Sequence, residues 1–154
     1  MKKYSFQVFA DYSQVLLHDE AWESDFSEAW NDDAYRKMVV ASDEALAIST
    51  ARNMDVQVEI IVSGDKPSID FADWDHIIQC NLGLSSGTLV VRGISDYLPD
   101  SAKIELEPGQ YIVWALYGDL NTVSDDGLEG KDHYRVILCR SDAITPLEVL
   151  KSKN

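Results

Sequence analysis

Ala102-Lys103-Ile104-Glu105-Leu106-Glu107-Pro108-Gly109-Gln110-Tyr111-Ile112-Val113-Trp114-Ala115-Leu116-Tyr117 is the stretch that decides the fold class of this chain. Its first part alternates, with Ala102, Ile104 and Leu106 on one side and Lys103 and Glu105 on the other, the mark of a half-buried strand. Its second part, Gln110–Tyr117, is apolar on both sides, as a strand covered on two faces should be, and it therefore belongs at the centre of a sheet. Between them stands Glu107-Pro108-Gly109-Gln110, where proline fixes one turn position and glycine accepts the positive φ of the next. The two strands are expected to pair antiparallel across that turn.

The same period of two runs outward through the chain. Tyr4, Phe6 and Val8 alternate with Ser5 and Gln7; Val56, Val58, Ile60 and Val62 alternate with Gln57 and Glu59, although Ile61 breaks the polar side. Tyr134, Val136 and Leu138 form a further face. Breaks fall at Ser63-Gly64-Asp65-Lys66-Pro67, Leu84-Ser85-Ser86-Gly87 and Leu98-Pro99-Asp100. This spacing predicts a mainly β chain, an antiparallel β-sandwich of about eight or nine strands. One short helix is expected near residues 32–42, capped by Asn31 or Asp32 and carrying Ala34, Tyr35, Met38, Val39 and Ala41 on its apolar side, with a strand to follow at 45–51.

The chain has 154 residues, enough for one domain with a sizeable core, and no linker, repeat or low-complexity tract divides it. A single domain over 1–154 is expected, with an ordered core over about 4–150. No apolar run approaches the length of a membrane helix, and the start, MKKYSFQVFA, lacks the unbroken apolar centre of a signal peptide. A cytoplasmic location is the expectation, and Cys80 and Cys139, each inside an apolar stretch, read as two buried reduced thiols.

Twenty-seven acids against thirteen lysines and arginines give a formal net charge of −14. Such a surface repels nucleic acid and anionic lipid and suits a basic protein partner, although the same charge also serves solubility alone. The acids cluster. Asp19, Glu20, Glu23, Asp25, Glu28, Asp32 and Asp33 follow one another without a basic residue and are interleaved with Trp22, Phe26 and Trp30. Aromatic side chains can anchor an interface while rim charges steer a cationic partner towards it. Asp19, Glu20, Trp22, Glu23, Asp25, Glu28 and Trp30 are thus the candidate partner-binding residues. The plainer alternative has the aromatics packed on the sheet and the acids facing water.

Other chemistry finds less footing. His18, His76 and His133 sit in no nucleophile elbow or related signature, and any two of the acids could be paired on paper, so no catalytic residue is assigned. No cofactor is implied. The loop Gly118–Asp132 offers Asp119, Asp125, Asp126 and Glu129 as weak candidates for calcium, with spacing that matches no established loop. Arg52, Arg92 and Arg135 interrupt or end strands, where an arginine reaches solvent or meets a carboxylate across the sheet.

The strand Phe6-Gln7-Val8-Phe9, the helix leading into Leu46-Ala47-Ile48-Ser49-Thr50, and Arg52-Asn53 before Val56 resemble the competence protein J family. So does Ile104-Glu105-Leu106-Glu107-Pro108-Gly109-Gln110-Tyr111 running into an aromatic strand. Stretches similar to Ala10-Asp11-Tyr12-Ser13-Gln14, Thr50-Ala51-Arg52-Asn53-Met54 and Asp126-Gly127-Leu128 occur in uncharacterised bacterial proteins. The resemblance spans much of residues 4–140 and implies a β-sandwich and a nuclease-inhibitor role, since the family includes the inhibitor partner of a competence nuclease. It transfers no functional residue, and the long acidic loop at 118–132 departs from the compact members. The expected function is a non-enzymatic acidic protein-binding module, an inhibitor or immunity protein of a basic nuclease or toxin. A calcium- or small-ligand-binding β-sandwich is the alternative, and a hydrolase a third.

Overall fold

A computed structural model describes residues 1–153. The strands are β1 Lys2–Phe9, β2 Gln14–Asp19, β3 Val39–Ser42, β4 Ala45–Ser49, β5 Asp55–Ser63, β6 His76–Leu84, β7 Thr88–Gly93, β8 Ala102–Glu105, β9 Gly109–Gly118, β10 His133–Arg140 and β11 Glu148–Lys151. Among the described residues the one α-helix, α1, is Asp32–Lys37. The strands form a six-stranded sheet in the order β1-β5-β10-β9-β6-β11 and a five-stranded sheet in the order β3-β4-β2-β7-β8. This is the expected β-sandwich, with eleven strands where the turn signals suggested fewer. Five strands escaped a period-two reading: β2, β6 and β7, whose buried runs do not alternate cleanly, β3, which falls within the expected helix, and the short β11.

The core lies between the sheets. Val15, Leu17, Leu46, Ile48, Leu89 and Val91 of the five-stranded sheet meet Val56, Val58, Ile60, Ile78, Leu82, Val113, Val136 and Leu138 of the other. Tyr111, Val113, Ala115 and Tyr117 of β9 face this core, while Trp114 and Leu116 join a second cluster with Trp74, Ile77, Ile137 and Cys139 on the outer face. β9 is therefore covered on both sides and sits between β10 and β6, as its sequence requires. Burying each such large apolar side chain contributes roughly 1.5–3 kcal/mol.

Two expectations fail for reasons that lie outside their own segments. β8 and β9 do not pair with each other: β8 pairs with β7 in one sheet and β9 with β10 and β6 in the other. Glu107-Pro108-Gly109 is a corner at which the chain changes sheets. Gly109 carries φ +139° there, and a Cβ on it would meet the Arg140 guanidinium at 2.5 Å, so the sequence needs glycine for the corner as much as it would for a hairpin. The helix also stops early. Asn31 caps it by accepting from the Ala34 amide at 2.9 Å, but Met38 takes φ +64° and ends it. The β-branched pair Val39-Val40 then joins β4, and the buried Tyr117 hydroxyl donates to the Met38 carbonyl at 2.7 Å.

The sandwich also contains one parallel pair, β5 with β10, between otherwise antiparallel neighbours. Arg135 stands opposite Glu59 across that pair and donates to its carboxylate, the cross-sheet contact expected of a strand arginine. Cys80 and Cys139 are buried free thiols.

Candidate functional site

β2 leaves the five-stranded sheet at Asp19, and residues 20–37 fold back over that sheet's outer face. The face is built for cover: Leu16, Val40, Ala45 and Ala47 present a low apolar surface, and Phe26 and Ala34 pack onto it with Trp22 and Trp30 beside them. Trp22 lies 5.0 Å from the His18 ring and 5.3 Å from Phe26. Trp30 lies 5.1 Å from Tyr35 and donates its Nε1–H to Gln14 at 3.0 Å. The aromatics of the acidic segment thus pack on the sheet, yet Trp22 and Trp30 each keep part of their surface open.

The acids divide. Glu20, Glu23, Asp25 and Glu28 are exposed, and Glu20 pairs with Lys103 at 2.9 Å. Asp19 is not part of that surface, which corrects the sequence expectation. It is wholly buried; one carboxylate oxygen accepts from the Ala21 amide at 2.9 Å, the other from the Ser86 amide and hydroxyl at 3.0 and 2.8 Å. These hydrogen bonds fasten the covering segment to the β6–β7 turn. The Asp25 carboxylate accepts from the hydroxyl and amide of Ser27, and these two hydrogen bonds hold its pKa below the usual carboxylate range.

The covering segment meets the β3–β4 turn around a cleft of about 790 Å³ lined by Trp22, Asp25, Phe26, Asp43, Glu44, Asn81 and Gln110, with Ser24 and Ser42 completing its rim. Main-chain bonds fix this turn: the Asp43 carbonyl accepts from Gly83 at 2.8 Å and the Glu44 carbonyl from Asp19 at 2.9 Å. The side chains of Asp25, Asp43 and Glu44 form no ion pair among the described residues. Three carboxylates around a part-open tryptophan, with no lysine or arginine in the lining, can receive a cationic group. Asp43 and Glu44 were missed by sequence reasoning because they lie in a tight connection between two strands, far along the chain from Trp22. An acidic pair at a hairpin turn was the only signal they gave.

The loop Gly118–Asp132 sits elsewhere, at the end of the six-stranded sheet. Asp75 accepts from the Leu120 amide at 2.8 Å, and Arg52 reaches the Leu128 carbonyl and the buried Asp132. Asp119, Asp125, Asp126 and Glu129 are exposed, and Asp126 is occupied by the Ser124 hydroxyl and the Leu128 amide. No three acids, histidines or cysteines among the described residues are gathered to hold a metal, so the calcium candidates remain apart.

The histidines are engaged structurally. His18 Nδ1 lies 2.7 Å from the Asp19 carbonyl, and Nε2 accepts from Arg92 Nε at 3.0 Å. His76 lies between the Lys37 carbonyl at 2.6 Å and the Lys153 amide at 3.1 Å. Burial lowers the pKa of both rings. His133 stacks on Trp74 and approaches Asp119 at 3.5 Å on the exposed surface.

No family model matches the chain, and no curated protein matches it. Among solved structures it is similar to ComJ, the inhibitor of the DNA-degrading activity of NucA, from Bacillus subtilis. That match has a TM-score of 0.72 at 14% identity and covers 91% of this chain and 98% of that one. It is also similar to the crocagin biosynthetic gene J product, with a TM-score of 0.61, 16% identity, and 92% and 99% of the two chains covered. The chain has the ComJ-like fold over nearly its whole length.

Proposed function

We propose that this protein is a non-enzymatic inhibitor that binds a nuclease through the acidic cleft around Trp22. The similarity to ComJ across nearly both chains carries the class of function, and the unpaired carboxylates of Asp25, Asp43 and Glu44 supply the chemistry. A nuclease holds its substrate's phosphates with cationic side chains. Carboxylates set at comparable positions neutralise that surface and exclude the nucleic acid with no bond made or broken. Trp22 supplies the apolar anchor, and the exposed Glu23 and Glu28 of the same segment add negative charge that raises the encounter rate. The calcium reading has weaker support, because its candidate ligands stay apart.

The test starts with a column of the immobilised protein, loaded with native lysate at low salt and eluted with rising salt. The eluate is assayed for DNA-degrading activity with and without added free protein. A captured nuclease that the free protein inhibits, and that a variant carrying Asp25→Asn, Asp43→Asn and Glu44→Gln fails to hold, is the expected result. Undiminished capture and inhibition by the triple variant would place the interface elsewhere.

A further inference from the structure

Four arginines in this chain meet a carboxylate: Arg36 with Asp33, Arg52 with Asp132, Arg135 with Glu59 and Arg140 with Asp142. Arg92 forms no ion pair among the described residues, although acids outnumber bases twofold in the sequence. It is also half-buried, on the outer face of β7, where burial lowers its pKa and Asp96 acts the other way. Asp96 is committed to the Gly93 amide at 2.9 Å. A guanidinium taken partly from water with no carboxylate in direct contact gains from an anion brought against it.

The side chain is held rather than loose. Arginine Nε only donates, so His18 Nε2 must accept from it, and His18 is neutral with its proton on Nδ1, facing the Asp19 carbonyl. Arg92 Nη1 reaches the carbonyls of Gly93 and Ile94 only at 3.4 Å. Nη2 has no acceptor among the described residues. Since no buried side-chain nitrogen or oxygen lacks a partner, Nη2 opens outward.

Arg92 lines a pocket of about 510 Å³ that adjoins the acidic cleft across Ser24, Asp25 and Phe26 and whose walls include Tyr12, Leu16, Asp25, Trp30 and Tyr35. That volume lies within the range of small-molecule sites, roughly 300–1,000 Å³. The aromatic wall is set in advance: Trp30 is fixed to Gln14 and stacked with Tyr35. Tyr12 and Ser13 both take left-handed backbone, φ +57° and +55°, a strained arrangement for two successive non-glycine residues that leaves Tyr12 70% exposed at the pocket mouth. Asp25 is the one acid in the wall, and one of its carboxylate oxygens accepts from the Ser27 amide and hydroxyl.

We propose that this pocket binds a small organic acid carrying a flat ring, with its carboxylate on Arg92 and its ring against Trp30 and Tyr35. A single charge is favoured over a phosphate dianion because only one cation lines the pocket, Asp25 stands in its wall, and the whole chain is strongly negative. The site adjoins the acidic cleft across Ser24, Asp25 and Phe26, but it is tested on the isolated protein, so its failure is distinct from a failure of nuclease inhibition.

The experiment is calorimetric titration with benzoate, phenylacetate and indole-3-acetate, alongside indole-3-acetamide, which keeps the ring without the charge, and acetate, which keeps the charge without a ring. At least one ring acid is expected to bind with a dissociation constant of roughly 1 mM or tighter. The amide should bind at least tenfold more weakly than its acid, and acetate more weakly still. Arg92→Gln should reduce the acid's affinity about tenfold while leaving the amide's unchanged, which separates loss of the charge contact from loss of fold. Tyr35→Ala should weaken acid and amide alike. The proposal is overturned if all three ring acids fail to bind up to about 10 mM. Equal affinity for the acid and amide, or an Arg92→Gln variant that keeps the acid's affinity, overturns it as well.

Discussion

The Asp132 carboxylate is completely buried between Arg52, which keeps 11% of its side chain exposed, and the Tyr134 hydroxyl, which donates to its second oxygen at 2.6 Å. Tyr134 Oη in turn accepts from the Ala51 amide at 2.8 Å. One carboxylate thus joins the β4–β5 connection, the end of the long loop and the start of β10.

Removing one member of such a pair leaves the other uncompensated. Asp132→Ala is expected to destabilise the protein by roughly 3 kcal/mol or more, read from urea unfolding. Tyr134→Phe, which removes two hydrogen bonds and leaves the Ala51 amide without its acceptor, should cost about 1–3 kcal/mol. Wild-type stability for Asp132→Ala would mean that the long loop is not fastened through this pair.

Acid should weaken the fold through two histidines. Burial holds His18 and His76 below the ordinary value of 6.5, so each is neutral in the folded protein where the unfolded chain would bind a proton. Their contribution is fully present above 6.5, and it falls as the pH drops from there towards the folded values. Unfolding midpoints in urea should therefore change little between about pH 8 and 7 and decline below about 6.5. NMR titration of both rings with midpoints at or above 6.5 would contradict the neutral assignments.

The corner between β8 and β9 should resist a side chain at Gly109, chiefly through its backbone conformation. Gly109→Ala places a Cβ at positive φ and against Arg140, and is expected to cost about 1–3 kcal/mol. Gly127→Ala, also at positive φ but with nothing within 4 Å, should cost about 1 kcal/mol. Equal losses would show that crowding by Arg140 does not matter at the corner.

Cys80 is almost entirely buried, and burial pushes its thiol pKa up to about 12. Alkylation of Cys80 in the native protein at about pH 8 should proceed no faster than global unfolding, since only the thiolate reacts. Mass spectrometry after timed iodoacetamide treatment gives the rate. Rapid native labelling would require an opening of β6.

What the sequence disclosed was mostly local. The alternation of Tyr4–Val8 and Val56–Val62, the double-sided apolarity of β9 and the Asn31 cap are all found as read. What it concealed depended on partners far along the chain. Pro108-Gly109 has the same chemistry at a sheet-switching corner as at a hairpin, and only the neighbours of β8 and β9 decide between them. Met38 ends α1 because Val39 and Val40 find β4. Asp19 reads as the first acid of an exposed run, but the Ser86 turn makes it an internal anchor. Of the proposed cleft, Trp22 and Asp25 lay in the acidic run, whereas Asp43 and Glu44 could be joined to them only in three dimensions.

The parallel pairing of β5 with β10 also bears on how the chain is made. β5 ends at Ser63 and β10 begins at His133, so on the ribosome β5 has only β1 to pair with until most of the protein has been synthesised. Its other edge, with Val58 and Ile60 on the side destined for the core, stays open throughout that interval. Contacts this distant in sequence slow folding and lengthen the life of an adhesive intermediate. A chain stalled or cut before β10 would carry that open edge permanently, and its fate in the cell would be decided by holding chaperones and proteases rather than by its own stability.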